Sequence, residues 1–332
     1  MSSRTRVAVV GAGFFGQRHA RQYASMPDVE LVGVCDRSAT AARTLAAELG
    51  CRAFADHAEL LEEVDAVSVA TPTVAHYPVA RDFLEQGVPT LDEKPLAFST
   101  QEARELAKLA RRGRTVLQVG HVERFNPVWL AYERQPLRAD VIQAERLSPY
   151  PFRGTDVSVV FDLMIHDLDL ALAAAGSAPV SVEAWGGPCL SGSADRVEAR
   201  IDFASGCRAR IVASRVHHRA ERTMRLWNQE ALIDLDLHAR SSTSYRRKPG
   251  MPLPPHVSPD QAEAVRQRLF ERETATFSAE VQPLRLELED FLRCARTGAD
   301  PKVSGEEGYA AVALADVVER RLSAFVPKLR AA

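Results

Sequence analysis

The sequence predicts an α/β protein in two parts. The first is a doubly wound parallel sheet. The second is an α+β domain with an open-faced, mainly antiparallel sheet. Three observations predict this. Over the first 120 residues, short apolar runs alternate with helical stretches. After residue 121 the pattern changes to strand upon strand of alternating polarity. The 332 residues are also too many for one ordinary core. We place the boundary between 121 and 122, giving domains over 1–121 and 122–332.

The first five strands are read at "RVAVVG", "ELVGVCD", "DAVSVAT", "VPTLDE" and "TVLQVG". They are apolar runs without alternation, as strands covered on both faces should be. Helical stretches lie between them, at 14–25, 39–49, 74–86 and 99–112. Right-handed crossovers then wind the sheet on both sides. In the second part a helix is expected near 126–134 and another over "VVFDLMIHDLDLALA", 159–173. Alternating runs follow at "VIQAERLS", "RVEARIDFA", "CRARIVASRV", "TMRLWNQ" and "ALIDLDLH". Ser205-Gly206 and "NQEA" supply hairpin turns. Residues 240–260, rich in Pro, Ser and Arg, read as an excursion or mobile loop, with Arg246-Arg247-Lys248 solvated in it. Two helices close the chain, near 283–297 and 305–327.

Composition excludes several classes. A net charge of −2 offers no basic field for nucleic acid or an anionic membrane. No run approaches the ~18 apolar residues of a membrane span, and "MSSRTRVAVVGAG" enters a strand without a signal-peptide core. Five scattered cysteines without a CxxC suit a reducing compartment, with neither a disulfide framework nor a metal site. His217-His218 would face opposite sides of a strand and so cannot easily share one metal. A cytoplasmic enzyme or binding protein is expected.

"VAVVGAGFFG" runs strand, Gly11-x-Gly13-x-x-Gly16, helix. An acid, Asp36, ends the second strand about 20 residues on, the spacing for a carboxylate on adenosine ribose hydroxyls. Gly11 permits the tight turn, Gly13 the approach of a pyrophosphate, and Gly16 close helix–strand contact. This is the Rossmann dinucleotide signature, and Asp36 favours NAD because it would repel a 2′-phosphate. Arg37 beside it softens that preference. Further candidates end the later strands on the same edge: Thr71, Pro72 and His76; Glu93 and Lys94; His121, Arg124, Phe125 and Asn126. Each has a plainer reading, as a strand-end turn, a surface lysine, or a helix cap before Pro127.

The segment 159–173 carries Asp162, His166, Asp167 and Asp169 inside an apolar helix. At about 100° per residue, 162, 166 and 169 share one stripe. A helix greasy nearly all round is buried, so that stripe should line a cleft. A buried structural network is the competing reading. Asp167 points elsewhere and reads as a solvated or paired structural residue.

Together Gly11 to Gly16, Asp36, Thr71-Pro72, Glu93-Lys94-Pro95 and Asp162-x-x-x-His166 resemble the Gfo/Idh/MocA oxidoreductase family, in order and spacing over nearly the whole chain. The resemblance implies NAD(P) and hydride transfer at a sugar or cyclitol carbinol. It implies that Lys94 orients substrate and nicotinamide ribose, that His166 is the acid/base, and that Asp162 supports substrate and histidine. Phe14, Phe15, Arg37, His76, Glu93 and His121 then join the cofactor contacts, and Phe125, Asn126, Arg124 and Arg153 the substrate contacts. The Lys94–Pro95 bond is expected to be cis. Many members have a Gly-rich loop before the catalytic helix, where "FRGTDVSVVF" stands here. With "GHVERFNP" and the C-terminal "PLRLELEDFLRCARTGADPKVSGEEG", that segment is similar to the UDP-N-acetylglucosamine 3-dehydrogenase branch. That branch implies a nucleotide-sugar substrate, oxidised at C3 to the ketone ahead of a transaminase in lipid A or surface-glycan synthesis.

Arg124 and Arg153 are the candidate diphosphate donors, because a guanidinium fork bonds two oxygens at once. Pairing with local carboxylates such as Glu123 or Asp156 is the alternative. A dehydrogenase of inositol or a free hexose is the competing enzyme. A non-catalytic dinucleotide-binding regulator is the competing class, though it would have no need of Lys94 or His166. A homodimer or homotetramer is expected through strands between about 180 and 237, where an open apolar sheet face would seek a partner.

Overall fold

The computed structural model describes residues 4–152, 155 and 157–323. The N-terminal sheet is built from β1 (Thr5–Val10), β2 (Val29–Cys35), β3 (Arg52–Phe54), β4 (Ala66–Val69), β5 (Thr90–Glu93) and β6 (Leu117–Gly120). Its order is β3-β2-β1-β4-β5-β6, with every pairing parallel. The crossovers are α1 (Phe14–Ala24), α2 (Ala39–Leu49), α3 (His76–Glu85) and α4 (Thr100–Gly113). The lack of alternation in these strands has its cause in burial on both sides. Val7 and Val9 of β1 enter one apolar cluster, with Ala20, Tyr23 and Leu45. Ala8 and Val10 enter another, with Phe54, Leu60 and Phe83. Local signals set the helix starts: Ser38 caps α2, and Ser99 with Glu102 forms a capping box on α4.

The second sheet follows α5 (Pro127–Arg134). It comprises β7 (Val141–Leu147), then, after α6 (Ile165–Ala175), β8 (Pro179–Gly187), β9 (Arg196–Phe203), β10 (Arg208–Ser214), β11 (Glu221–Trp227), β12 (Ala231–Asp236) and β13 (Ser241–Arg247). The helix α7 (Ala262–Leu269) leads into β14 (Phe270–Thr276). Two elements end the description, α8 (Pro283–Thr297) and α9 (Gly305–Arg320), before a short β15 (Leu322–Ser323) beside β8. The sheet order is β14-β13-β12-β11-β7-β10-β9-β8-β15, antiparallel except for β7–β10 and β8–β15.

Two compact units result: Met1–Phe125 with Gln282–Asp316, and Asn126–Val281 with Val317–Ala332. Leu288, Phe291 and Leu292 of α8 fill the same cluster as Val7 and Val9, so α8 builds the parallel-sheet unit. No helix among the described residues is long and apolar enough to cross a membrane.

Two sequence expectations need correction. Residues 241–247 are not part of a loop: they are β13, paired with β12 on one side and β14 on the other. The strand "SSTSYRR" lacks apolar alternation because its residues are at best half-buried on both faces. The open face of the sheet is not apolar either. The alternation along β9 buries Val197, Ala199, Ile201 and Phe203, and turns Arg196, Glu198, Arg200 and Asp202 outward. Ion pairs lace that outer face: Arg210–Glu198 at 2.8 Å, Arg208–Asp202 at 3.3 Å and Arg225–Asp234 at 2.7 Å.

Candidate active site

The glycine turn shows what each position is for. Gly11 has φ +109°, and a Cβ there would stand 2.3 Å from the Ala70 carbonyl oxygen. A Cβ on Gly16 would stand 1.8 Å from the Gly11 oxygen, so α1 packs on β1 only through glycine. Gly13, the N-cap of α1, has nothing within 4 Å of its Cβ position. The first turn of α1 holds no acidic residue, so no carboxylate of its own opposes an anion at the positive end of the helix dipole. A dinucleotide diphosphate fits this cradle. Phe14 and Phe15, half exposed, meet edge to face just past it. Asp36 Oδ2 accepts the Ala12 N–H and Oδ1 the Ser38 N–H, each at 2.7 Å. Its carboxylate is thereby held against the turn. Arg37 next to it is exposed.

Parallel pairing brings the ends of β1, β2, β4, β5 and β6 to one edge, so Asp36, Thr71, Glu93, Lys94 and His121 gather there with the turn. Most of their polar groups look inward. His76 is buried, its Nε2 2.8 Å from the Thr71 carbonyl oxygen and its Nδ1 3.0 Å from that of Pro95. It ties the β4 exit, where Pro72 is exposed, to the cis Lys94–Pro95 bond. Glu93 is buried, and its Oε1 lies 2.9 Å from Nε2 of His19 on α1. His121 is fully buried, and burial first, then Lys94 and Arg124, push its pKa down to about 3. The Arg124 guanidinium, 6% exposed, pairs with Glu307 at 2.8 Å. Phe125 is buried core. Lys94 alone in the stretch 91–97 is half-buried.

In the second unit Asn126 caps α5, its Oδ1 accepting the Val128 N–H at 3.1 Å and its Nδ2 donating to the Leu237 carbonyl at 3.1 Å. This is the cap reading of that segment. The polar helix differs from the uniform α-helix expected. Val160–Met164 form a π-helical turn, and α6 takes over at Ile165. Asp162 and His166 are half-buried across that junction, while Asp169 is 3% exposed. Asp167 is structural: Arg146 of β7 donates to both its oxygens, at 2.8 and 2.9 Å, and both residues are buried.

Sequence reasoning missed the support ahead of this helix. Arg215, fully buried, donates to the carbonyls of Val157 at 2.7 Å and Thr155 at 3.1 Å, and to Asp195 at 2.8 Å. Burial raises the pKa of Asp195, but the N–H groups of Ser191 and Leu190 outweigh it and hold the carboxyl well below its usual range. No local sequence signal marks Arg215 or Asp195, which lie 20 residues apart, one just before β9 and the other just after β10. Arg153, the other candidate diphosphate donor, lies outside the described residues, as does Asp156.

Residues 5–121 match the model "Oxidoreductase family, NAD-binding Rossmann fold", and residues 111–233 match "GFO/IDH/MocA C-terminal domain". The chain is 36% identical to the UDP-N-acetylglucosamine 3-dehydrogenase of Acidithiobacillus ferrooxidans, over 97% of this chain and 99% of that one. A solved structure of that enzyme aligns with a TM-score of 0.86 at 34% identity, covering 97% and 98% of the two chains. Inositol 2-dehydrogenase of Rhizobium meliloti is 25% identical, over 96% of this chain and 97% of its own.

Proposed function

Because this chain belongs to the GFO/IDH/MocA family of NAD-binding Rossmann oxidoreductases, we propose that it oxidises the C3 hydroxyl of UDP-N-acetylglucosamine with NAD. The observation that carries the substrate is the similarity, from end to end, to the Acidithiobacillus enzyme of that name. The N–H groups around Gly13 hold the diphosphate of NAD, and Asp36 the adenosine ribose. Bound NAD supplies a hydride acceptor.

The chain's own groups handle the proton and the charge. A histidine suits proton transfer near neutral pH, and His166 takes the proton of the substrate hydroxyl. Asp162, one turn before it, orients the imidazole or holds a neighbouring hydroxyl. Lys94 offsets the charge that develops on the oxygen. The donor for the uridine diphosphate is Arg153. The Glu307 pair favours the local role for Arg124. The 3-keto product is a substrate for amine transfer, which places the reaction before a transaminase in amino-sugar synthesis for lipid A or surface glycans. We assign the protein to the cytoplasm as a homodimer or homotetramer. The outer face of the second sheet would then meet a copy of itself through paired charges.

Reduction of NAD is measured with UDP-sugars, free sugars and inositol. UDP-N-acetylglucosamine should be turned over far better than free N-acetylglucosamine, because the nucleotide's binding energy positions the sugar. Equal turnover of a free hexose or inositol would sink the nucleotide-sugar reading. No turnover of any substrate, with NAD bound, would point to a regulator.

A further inference from the structure

Three side chains from three elements meet behind Lys94, all in the parallel-sheet unit. His19 on α1, Glu93 at the end of β5 and Glu287 on α8 are each buried, and one ligand atom of each lies within 4.8 Å of the others. Glu93 is the hub. Its Oε1 faces His19 Nε2 at 2.9 Å, and its Oε2 accepts the main-chain N–H of Lys94 at 3.2 Å. A Cβ on Gly120 of β6 would stand 2.9 Å from that Oε2, so a glycine there makes room for the carboxylate. One carboxylate thus joins α1 to the peptide unit that carries Lys94. Glu287 is 0% exposed, and neither of its carboxyl oxygens has a hydrogen-bond partner among the described residues.

We propose that His19 and Glu93 are positioning residues for Lys94, with Glu93 an ionised carboxylate held by His19 and Glu287 a neutral acid packed behind the pair. This rests on the reading of Lys94 as a catalytic group. Two carboxylates this close, in so dry a place, do not both ionise. The proton belongs on Glu287, because Glu93 alone has a donor on each oxygen. The titration directions agree. Burial, then the Glu93 charge, pushes Glu287 well above the usual carboxylate range. Burial raises Glu93 as well, but the His19 hydrogen bond and the charges of His19 and Lys94 bring it below its ordinary value.

A divalent cation is the other occupant that such a set of ligands invites. The His19–Glu93 separation speaks for a proton: two N/O ligands of a tetrahedral zinc stand roughly 3.3 Å apart, while this pair stands at hydrogen-bond distance.

The test uses the full chain, with turnover, NAD affinity and metal content measured on each variant. His19→Ala and Glu93→Gln should each lower turnover about 10- to 100-fold, the scale of a misplaced catalytic group, with NAD affinity changed far less. His19→Gln, whose amide reaches the place of Nε2, should restore most of what His19→Ala loses. Glu287→Gln, the shape of the neutral acid, should restore what Glu287→Ala loses. The proposal is overturned if either conservative variant is as poor as its alanine counterpart. It is overturned equally if a stoichiometric divalent ion copurifies and its removal abolishes turnover. Lys94→Ala separates the two readings. If that variant keeps full turnover, Lys94 is not catalytic and the positioning role falls with it. If it loses turnover while Glu93→Gln and His19→Ala do not, only the positioning role fails.

Discussion

Between Val10 and Gly16 the chain prepares for a ligand by omitting side chains, whereas α6 brings carboxylates and an imidazole into an otherwise apolar helix and has to hold them there. The two regions solve opposite problems. At the turn, the glycines uncover the backbone, and several polar side chains along the same edge are engaged with the protein itself: half-buried Asp36 with Ala12 and Ser38, Glu93 with His19, Arg124 with Glu307. That edge is a frame with one half-buried lysine on it. In the helix, Asp167 is consumed by Arg146, and this leaves Asp162 and His166 half-buried at the π–α junction. On the proposed reading, rigid scaffolding and chemistry are divided between neighbouring residues of one helix in the second unit, and between backbone and side chain in the first.

The largest expected effect tests the scaffold half of α6. Arg146→Ala strands a buried Asp167 carboxylate and should cost ~3–5 kcal/mol of stability in denaturant unfolding. A loss under ~1 kcal/mol would mean that the pair is not what anchors the helix. The chemical half should behave differently. His166→Asn should leave NAD affinity and stability near the parent's while turnover drops ~100-fold or more. Turnover retained at neutral pH would remove His166 as the base.

The turn provides a smaller and sharper contrast. Gly13→Ala places a methyl in open space, so stability should hold while NAD affinity falls ~10-fold, about 1.4 kcal/mol. Gly16→Ala drives a methyl into the Gly11 carbonyl and should lower the thermal midpoint itself. If Gly13→Ala binds NAD like the parent, the cradle is not where the diphosphate sits.

How much of this was legible follows from how local each constraint is. The glycine turn and Asp36 could be read because steric rules fix residue types at fixed spacing. Glu93 and Lys94 could be located at a strand end, but the inward setting of Glu93 could not be read, since His19 is 74 residues away on α1 and Glu287 far along the chain on α8. His19 left a trace: it follows Gly16 by three residues, on the helix face that meets the sheet. The return of α8 to the first unit left none, because an amphipathic helix does not name its partner. The strand β13 was missed for want of an apolar pattern, and the charged outer sheet face was misjudged because alternation shows which residues pair with the core and not how polar the other set becomes.

The remaining test asks whether the edge of the first unit is a frame all the way to β6. His121 is fully buried with a pKa pushed down to about 3, chiefly by burial and next by Lys94. An unfolded histidine titrates near ~6.5, so the unfolded chain takes up the proton first as pH falls. The stability of the neutral form is then complete above about pH 6.5 and is lost below it, down towards the folded value, at no more than ~1.4 kcal/mol per pH unit. Between about pH 6.5 and 5 most carboxylates stay ionised, which makes that the window to use. His76, also lowered mainly by burial, adds to the slope there. The diagnostic quantity is therefore the difference between the parent and His121→Gln in denaturant midpoints at pH 7, 6 and 5. The parent should lose more stability than the variant over that range, by about 1–2 kcal/mol. Equal slopes would mean that His121 takes up its proton in the folded protein as readily as in the unfolded chain, and then the β6 end would not be part of the dry frame.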